Sequence, residues 1–129
     1  MSIRQILAFG LVISAILFAG SPVAAADADK GKKVFKKCKA CHSVKAGKHK
    51  IGPSLAGVVG RKAGSAAGYK KYKGMKDADW TWDEATLMVY LENPKKFVKS
   101  KGRKKTSMAF RLKKKADREN VIEFLKSLK

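Results

Sequence analysis

Residues 38–42 read Cys-Lys-Ala-Cys-His, a C-x-x-C-H run whose residue types and spacing suit one kind of chemistry. Two thiols three positions apart can each add to one vinyl group of a haem, and the adjacent imidazole then lies where it can bind the iron. Such a run is the attachment signature of a c-type haem. The sequence therefore predicts thioether bonds from Cys38 and Cys41 and proximal iron ligation by His42.

Two other uses of paired cysteines fit this chain less well. A thioredoxin-like redox pair needs a strand before the motif and a βαβ setting, whereas a helical, lysine-rich segment precedes Cys38. A zinc site needs four ligands, and the whole chain has only two cysteines and two histidines, His42 and His49. Because the haem would use both thiols, no disulfide is expected even in an oxidising compartment.

The N-terminal residues have the pattern of a secretory signal. Arg4 gives a short positive region, residues 6–18 are almost continuously apolar, and Ser21-Pro22 precedes Val23-Ala24-Ala25-Ala26. This pattern predicts export, with cleavage after Ala26 or after Ala25. The alternative is an uncleaved anchor, but the apolar stretch is shorter than the roughly 20 residues that a membrane span requires. We therefore expect a signal peptide over 1–26 and one domain over 27–129.

The charge balance is strongly basic and unevenly distributed. The chain has 30 Lys and Arg against 10 Asp and Glu, a formal net charge of +20. Nine lysines and no carboxylate lie between Lys30 and Lys50, and eleven basic residues and no carboxylate lie between Lys95 and Lys115. This charge indicates either a solvated lysine-rich surface or electrostatic steering toward an acidic partner. Nucleic acid is not expected as a partner of an exported protein.

Hydrophobic spacing predicts helices and no convincing strand, so the expected fold class is all-α. Asp27 is a suitable N-cap for a helix that runs to about Lys39. A second helix begins near 82–84 and ends at Asn93-Pro94, and Phe97 follows in a short helical turn. The last helix is predicted from about Ala116 to Leu128. A domain of this size has a modest core, so a buried porphyrin would supply much of it.

A six-coordinate haem needs a second axial ligand, and His–Met ligation favours electron transfer whereas an open site allows O₂ or peroxide chemistry. The candidates are Met75, Met88, Met108 and His49. Met88 is interpreted as a core residue of its helix, Met75 as part of a Lys/Gly loop without apolar neighbours, and His49 as solvated. Met108 lies late in the chain and is followed by Ala109-Phe110. The spacing therefore favours Met108 modestly and leaves the others open.

From Lys30 onward the chain resembles the class I cytochromes c, close to mitochondrial cytochrome c and to the bacterial cytochrome c₂ type. The resemblance covers nearly the whole predicted domain in the right order. The matching runs are residues 31–35, Cys38–His42, Gly52–Arg61, Trp82, Thr86–Lys96, Met108–Phe110 and Asn120–Lys126.

The resemblance implies a small fold in which the N- and C-terminal helices cross. Together with a further helix and loops, these helices wrap one covalently bound haem c. It implies that Met108 is the distal ligand and that the Pro53 carbonyl accepts a hydrogen bond from His42. It also implies a crossing of the two terminal helices at Gly31 against Phe124. The remaining implied cofactor contacts are Arg61 and Trp82 near a haem propionate, Tyr90 near the Met108 sulfur, and Thr106 beside the ligand loop.

Two stretches depart from the family pattern. The connection before Met108 is longer than in the mitochondrial proteins, with Lys99–Lys105 carrying the extra residues. The stretch from Tyr69 to Trp80 aligns poorly, and within it Tyr72 is the candidate for a further propionate hydrogen bond.

The function that these features imply is soluble one-electron transport in the periplasm, without enzymatic turnover. The expected partners are acidic redox proteins, such as a quinol-oxidising cytochrome complex, a terminal oxidase or a photosynthetic reaction centre. We expect a monomer with only peripheral membrane contact. The alternatives are a haem peroxidase or gas-binding protein with an open distal site, and a cationic binding protein whose haem is structural.

Overall fold

A computed structural model describes Gly20 and residues 24–129 of the chain. It contains four helices: α1 (Ala28–Phe35), α2 (Glu84–Glu92), α3 (Pro94–Ser100) and α4 (Lys115–Lys126). Within these residues the extended backbone is limited to one isolated antiparallel bridge, between Lys62 and Thr81. The all-α prediction is therefore confirmed. No helix in the described part of the chain is long and apolar enough to cross a membrane. Nearly all of the predicted signal peptide, residues 1–26, lies outside the described residues.

Helix α1 begins where Asp27 predicts but ends four residues earlier than expected. The Asp27 carboxylate accepts hydrogen bonds from the amides of Asp29 and Lys30, at 2.8 and 3.1 Å, as an N-cap does. After Phe35 the backbone hydrogen bonds tighten to three-residue spacing, including Cys38 N to Phe35 O at 2.8 Å. The predicted end at Lys39 is wrong because this tighter turn replaces the last helical turn.

The terminal helices cross at Gly31, as expected. A methyl group added to Gly31 would lie 2.6 Å from the carbonyl carbon of Asn120 and 2.8 Å from Cβ of Phe124. The Asn120 side chain also accepts a hydrogen bond from the Asp27 amide at 2.8 Å. On the same interface the rings of Phe35 and Phe124 lie 5.3 Å apart. The contact is close enough to require glycine.

The other helices begin at side-chain caps that the sequence shows. Asp83 accepts from the Thr86 amide at 2.7 Å and starts α2, and Asn93 accepts from the Lys96 amide at 3.1 Å and starts α3. Pro94 occupies the first position of α3, where its missing N–H costs nothing. Helix α4 starts one residue earlier and ends two residues earlier than predicted, with Ser127 and Leu128 in a terminal turn.

The hydrophobic core joins the helices to the long loop between the haem motif and α2. Phe35, Leu91, Val98 and Val121 are buried in it. Met75 also belongs to the core and is only 7% exposed, so the expectation of a loop methionine without apolar neighbours is wrong. Its neighbours come from distant parts of the chain, which local sequence cannot show. Met88 is half-buried against the core, as predicted.

Candidate functional site

The C-x-x-C-H motif lies on a compact turn directly after α1. The amides of Cys41 and His42 both bond the Cys38 carbonyl, at 3.1 and 2.9 Å. Both thiols are free and half-buried. Burial raises the pKa of the Cys38 thiol, and the neighbouring Cys41 adds to this shift. The turn therefore presents two thiols and one imidazole from five consecutive residues.

His42 is held in a single orientation by the loop opposite. Its Nδ1 atom lies 2.8 Å from the Pro53 carbonyl oxygen. Because a carbonyl can only accept, Nδ1 must carry the proton, and Nε2 then has a free lone pair in the neutral ring. Burial lowers the pKa of His42, against the opposing effect of the Pro53 bond, and the positive Arg61 and Lys50 lower it further. The neutral form that a metal requires is favoured.

The loop that carries Pro53 is packed tightly against the imidazole. A methyl group on Gly52 would lie 2.7 Å from Nδ1 of His42, so only glycine leaves the ring where it is. The Gly52 amide donates to the Cys41 carbonyl at 2.7 Å and thereby ties the loop to the motif. Reasoning from residue types assigns Gly52 no role of its own, although its place directly before Pro53 is a signal that could have found it.

Arg61 supports the same loop from behind. Its guanidinium donates to the carbonyls of Ala56 and Ser54, both at 3.1 Å. The Ser54 hydroxyl in turn donates to the Lys45 carbonyl at 2.6 Å and is buried. Burial lowers the pKa of Arg61. The Arg61 guanidinium therefore holds the backbone of the loop that contacts His42.

His49 is also part of this framework, so the expectation of a solvated side chain is wrong. Its Nε2 lies 2.8 Å from the Ala67 carbonyl, and its Nδ1 accepts from the Ser54 amide at 3.0 Å. The ring also contacts Tyr69, with a centroid separation of 5.4 Å. Because both nitrogens are used by the backbone, His49 is a structural residue.

Met108 lies on a loop that packs against the core from the other end of the sequence. Its side chain is half-buried, and its amide donates to the Thr106 hydroxyl at 3.3 Å. Burial raises the pKa of Tyr90 to about 12, while a hydrogen bond with the Thr106 side chain acts in the opposite direction. Thr106 thus bonds the Met108 amide and lies close enough to Tyr90 to affect its pKa.

An aromatic cluster lies beneath this loop. Trp82 is buried and lies 4.7 Å from Tyr90 and 6.0 Å from Phe97, ring centre to ring centre. Trp80, which sequence reasoning did not single out, is buried beside Trp82 at 6.1 Å, and its indole nitrogen has no protein partner.

The candidate Tyr72 packs against the hydrophobic core and lies close enough to Arg61 to oppose the lowering of the Arg61 pKa. Its hydroxyl accepts a hydrogen bond from the Ala66 amide at 2.9 Å, and its ring meets that of Tyr69 edge-on at 4.8 Å.

The donor set fits a covalently attached haem. Cys38 and Cys41 offer two free thiols on one turn, His42 offers Nε2 with its other nitrogen fixed, and Met108 offers a thioether from a second loop. Within residues 24–129 no three His, Cys, Asp or Glu side chains gather as a metal-binding group. These observations define a small all-α protein with a haem-attachment turn, the architecture of a class I cytochrome c.

Comparison with known proteins identifies the family. The family model described as Cytochrome c matches residues 28–129, and the chain belongs to that family. Cytochrome c2 of Rhodomicrobium vannielii is 46% identical over 117 residues, which cover 89% of this chain and 90% of the relative. Cytochrome c of Arabidopsis thaliana is 48% identical over 102 residues, 77% of this chain and 87% of the relative. The solved structure of cytochrome c2 from Rhodobacter sphaeroides superimposes with a TM-score of 0.72 at 37% identity, covering 80% and 96% of the two chains.

These relatives establish the protein class and its cofactor. The chain is an electron-carrier cytochrome of the c2 type, with one covalently bound haem c, and is not an enzyme. The alternative of a haem peroxidase or gas-binding protein is not favoured.

Proposed function

We propose that this chain is a periplasmic one-electron carrier whose haem is ligated by His42 and Met108. The observation that carries the proposal is the 2.8 Å contact between His42 Nδ1 and the Pro53 carbonyl. It fixes the tautomer that leaves Nε2 available to iron, and a hydrogen-bonded imidazole is a stronger donor. The bound haem supplies the ferrous–ferric couple, and the chain supplies ligands, orientation and shielding from water.

Each cysteine is proposed to form one thioether with the haem. The free thiols of Cys38 and Cys41 lie on one turn, braced by the bonds to the Cys38 carbonyl. Cys38→Ala and Cys41→Ala should each leave one thioether, and the double variant should yield little holoprotein. Acid–acetone extraction tests covalent attachment, because only haem without a covalent bond to the protein is extracted. Haem that was extractable from the parent protein would contradict covalent attachment.

Met108 is proposed as the distal ligand because Thr106 positions its backbone beside Tyr90. A thioether ligand favours ferrous iron and raises the potential. We expect Met108→Ala to retain covalent haem, lose the ferric iron–sulfur charge-transfer band and lower the reduction potential. Met75→Ala is the matched control: it should destabilise the core by about 2–5 kcal/mol and keep the band. Loss of the band in Met75→Ala alone would make the assignment wrong.

Arg61, Tyr72 and Trp82 are proposed to contact the haem propionates. Arg61 is half-buried at the Pro53 loop and Trp82 is buried beside Tyr90, so both groups could balance or hydrogen-bond a carboxylate shielded from water. Tyr72 carries a hydroxyl that already accepts the Ala66 amide and retains its own proton to donate.

Acidic redox proteins are proposed as partners because the carboxylates of the helices are largely paired. Glu84 and Glu123 both bind Lys126, at 2.9 and 3.1 Å. Glu92 lies 3.9 Å from Arg118. These ion pairs neutralise carboxylates of α2 and α4, two helices that are distant in sequence from the haem-attachment turn.

The lysines near the two ligand loops remain available to a partner. Lys39 follows Cys38, and Lys95 and Lys96 lie on α3; among the residues described, these three lysines enter no ion pair. Association with an acidic quinol-oxidising complex, terminal oxidase or reaction centre should therefore be steered electrostatically, by up to about 10–10³ in rate.

The periplasmic location is proposed from the N-terminal pattern, Arg4 followed by an apolar stretch and a small-residue site at Ala25 or Ala26. Cell fractionation followed by mass measurement of the purified holoprotein tests it. A periplasmic protein that begins at Asp27 or Ala26 is expected. A membrane-bound protein of full mass would show that the segment is retained.

A further inference from the structure

The extra residues 99–105 run from the last turn of α3 into the connection to Met108, and this connection is attached to a loop far away in sequence. Helix α3 ends in a turn in which Arg103 N donates to Val98 O at 2.8 Å, and Gly102 adopts a left-handed conformation with φ +72°. This turn directs the chain toward residues 74–77 and away from the end of α3.

Arg103 makes the central contact. Its two terminal nitrogens donate separately to neighbouring carbonyls, to Lys76 O at 3.0 Å and to Asp77 O at 2.8 Å. Its guanidinium carbon lies 5.8 Å from the centre of the buried Trp80 ring. A guanidinium can fill two acceptors and stack on an aromatic ring at once, which a lysine ammonium cannot reproduce. Asp77 itself has φ +55°, a conformation that non-glycine residues hold only when surrounding contacts fix it.

A second contact closes the same two loops. A methyl group on Gly74 would lie 2.9 Å from the carbonyl carbon of Lys105, and Gly74 has φ +78°. The next residue, Thr106, contacts both the Met108 amide and Tyr90. The attachment of residues 103–105 to residues 74–77 therefore ends immediately before the residues that position Met108.

We propose that Arg103 is a positioning residue: by fastening the extra loop to residues 76–77 and Trp80, it holds Met108 in place and limits its dissociation from the iron. This rests on the proposed His42–Met108 ligation. Lys104 and Lys105 beside it are exposed whereas Arg103 is half-buried, and the exposed Lys101 also lies over the Trp80 ring, at 5.9 Å.

The test uses ferric holoprotein and imidazole as a competing ligand, because imidazole can bind only after Met108 leaves. Arg103→Lys keeps the positive charge but removes the guanidinium that donates to two carbonyls. Lys104→Gln is the matched control, because it removes a positive charge from an exposed neighbouring residue. We expect Arg103→Lys and Arg103→Gln to increase the apparent affinity for imidazole about tenfold. The hydrogen bonds of the charged guanidinium stabilise only the closed loop, so their loss favours the open loop, in which imidazole can bind. Lys104→Gln should change it less than about twofold.

A readout independent of iron ligation accompanies this titration. Trypsin cleavage after Lys104 or Lys105 in the holoprotein should be faster in Arg103→Lys and in Gly74→Ala than in the parent. If the parent lacks the iron–sulfur band, the ligation proposal is wrong, and faster cleavage still supports the loop attachment. Parent-like imidazole affinity together with parent-like cleavage in Arg103→Lys would overturn the proposal, as would an equal effect of Lys104→Gln on affinity.

Discussion

Replacing Gly52 with alanine tests whether the tight packing on the imidazole fixes His42. In the parent no side chain separates residue 52 from the ring, and a Cβ atom there would lie 2.7 Å from Nδ1, where ordinary van der Waals contact begins near 3.4 Å. Either the ring or the loop must move by roughly 1 Å. Each movement lengthens the 2.8 Å bond to the Pro53 carbonyl.

The magnitude follows from two costs. Forcing a methyl group into a packed site costs about 1–3 kcal/mol, and loss of one hydrogen bond costs about 0.5–1.5 kcal/mol. We expect Gly52→Ala to lower the free energy of unfolding by about 2–4 kcal/mol, a large share of the 5–15 kcal/mol typical of a domain. Because the hydrogen bond also increases electron donation by the imidazole, its loss should raise the reduction potential.

Guanidinium unfolding of the holoprotein measures the first effect and redox titration the second. Gly57→Ala is the control, because Gly57 has φ +64° but no atom within 4 Å of an added Cβ. It should cost about 1–2 kcal/mol from backbone strain and leave the potential unchanged. A Gly52→Ala protein with parental stability and potential would refute the role assigned to the Gly52–Pro53 loop.

Three further outcomes are expected from the surface and the helices. Replacing Lys39, Lys95 and Lys96 together with Glu should slow electron transfer to an acidic partner and leave the haem spectrum unchanged; stopped-flow rates that stay flat across a salt series would mean that these lysines serve solubility only. Gly31→Ala should destabilise the holoprotein by about 1–3 kcal/mol because overpacking outweighs the gain in helix propensity, and thermal unfolding against Lys32→Ala as an exposed control measures this. Hydrogen bonds from the Thr86 amide and side chain hold the pKa of Asp83 below its usual 3.8, so its stabilisation is present above that pH and disappears as the pH falls through the lower folded value. Unfolding curves of Asp83→Ala and the parent should therefore converge in strong acid and separate near neutrality.

The features readable from the sequence are those that short-range chemistry determines. Asp27, Asp83 and Asn93 each start a helix because a capping side chain reaches amides two or three residues ahead. Only one turn of backbone is needed to bring Cys38, Cys41 and His42 together for haem attachment. These elements can be predicted from the sequence because the interactions that form them involve only residues close together in the chain.

The errors concern residues whose neighbours are distant in the chain. Met75 has only lysines and glycines beside it in sequence, yet the folded chain buries it in the core. His49 has lysines on both sides, yet its ring contacts the Ala67 carbonyl 18 residues away. The predicted end of α1 at Lys39 is a different, local error, because cysteine and lysine side chains do not show where helical hydrogen bonds shorten to a tighter turn.

The same distinction separates the two sides of the proposed haem site. On the proximal side, His42 is fixed by a carbonyl 11 residues away and by a glycine beside it, so its contacts form within one short loop. On the distal side, the loop before Met108 depends on Arg103 bonds that span 26 and 27 residues. Closing such a long connection costs more chain entropy than closing a short one, so the distal loop should open before the proximal one. Ligand exchange in this cytochrome should therefore begin at Met108, and substitution of Arg103 should change its frequency without altering the two proposed iron ligands.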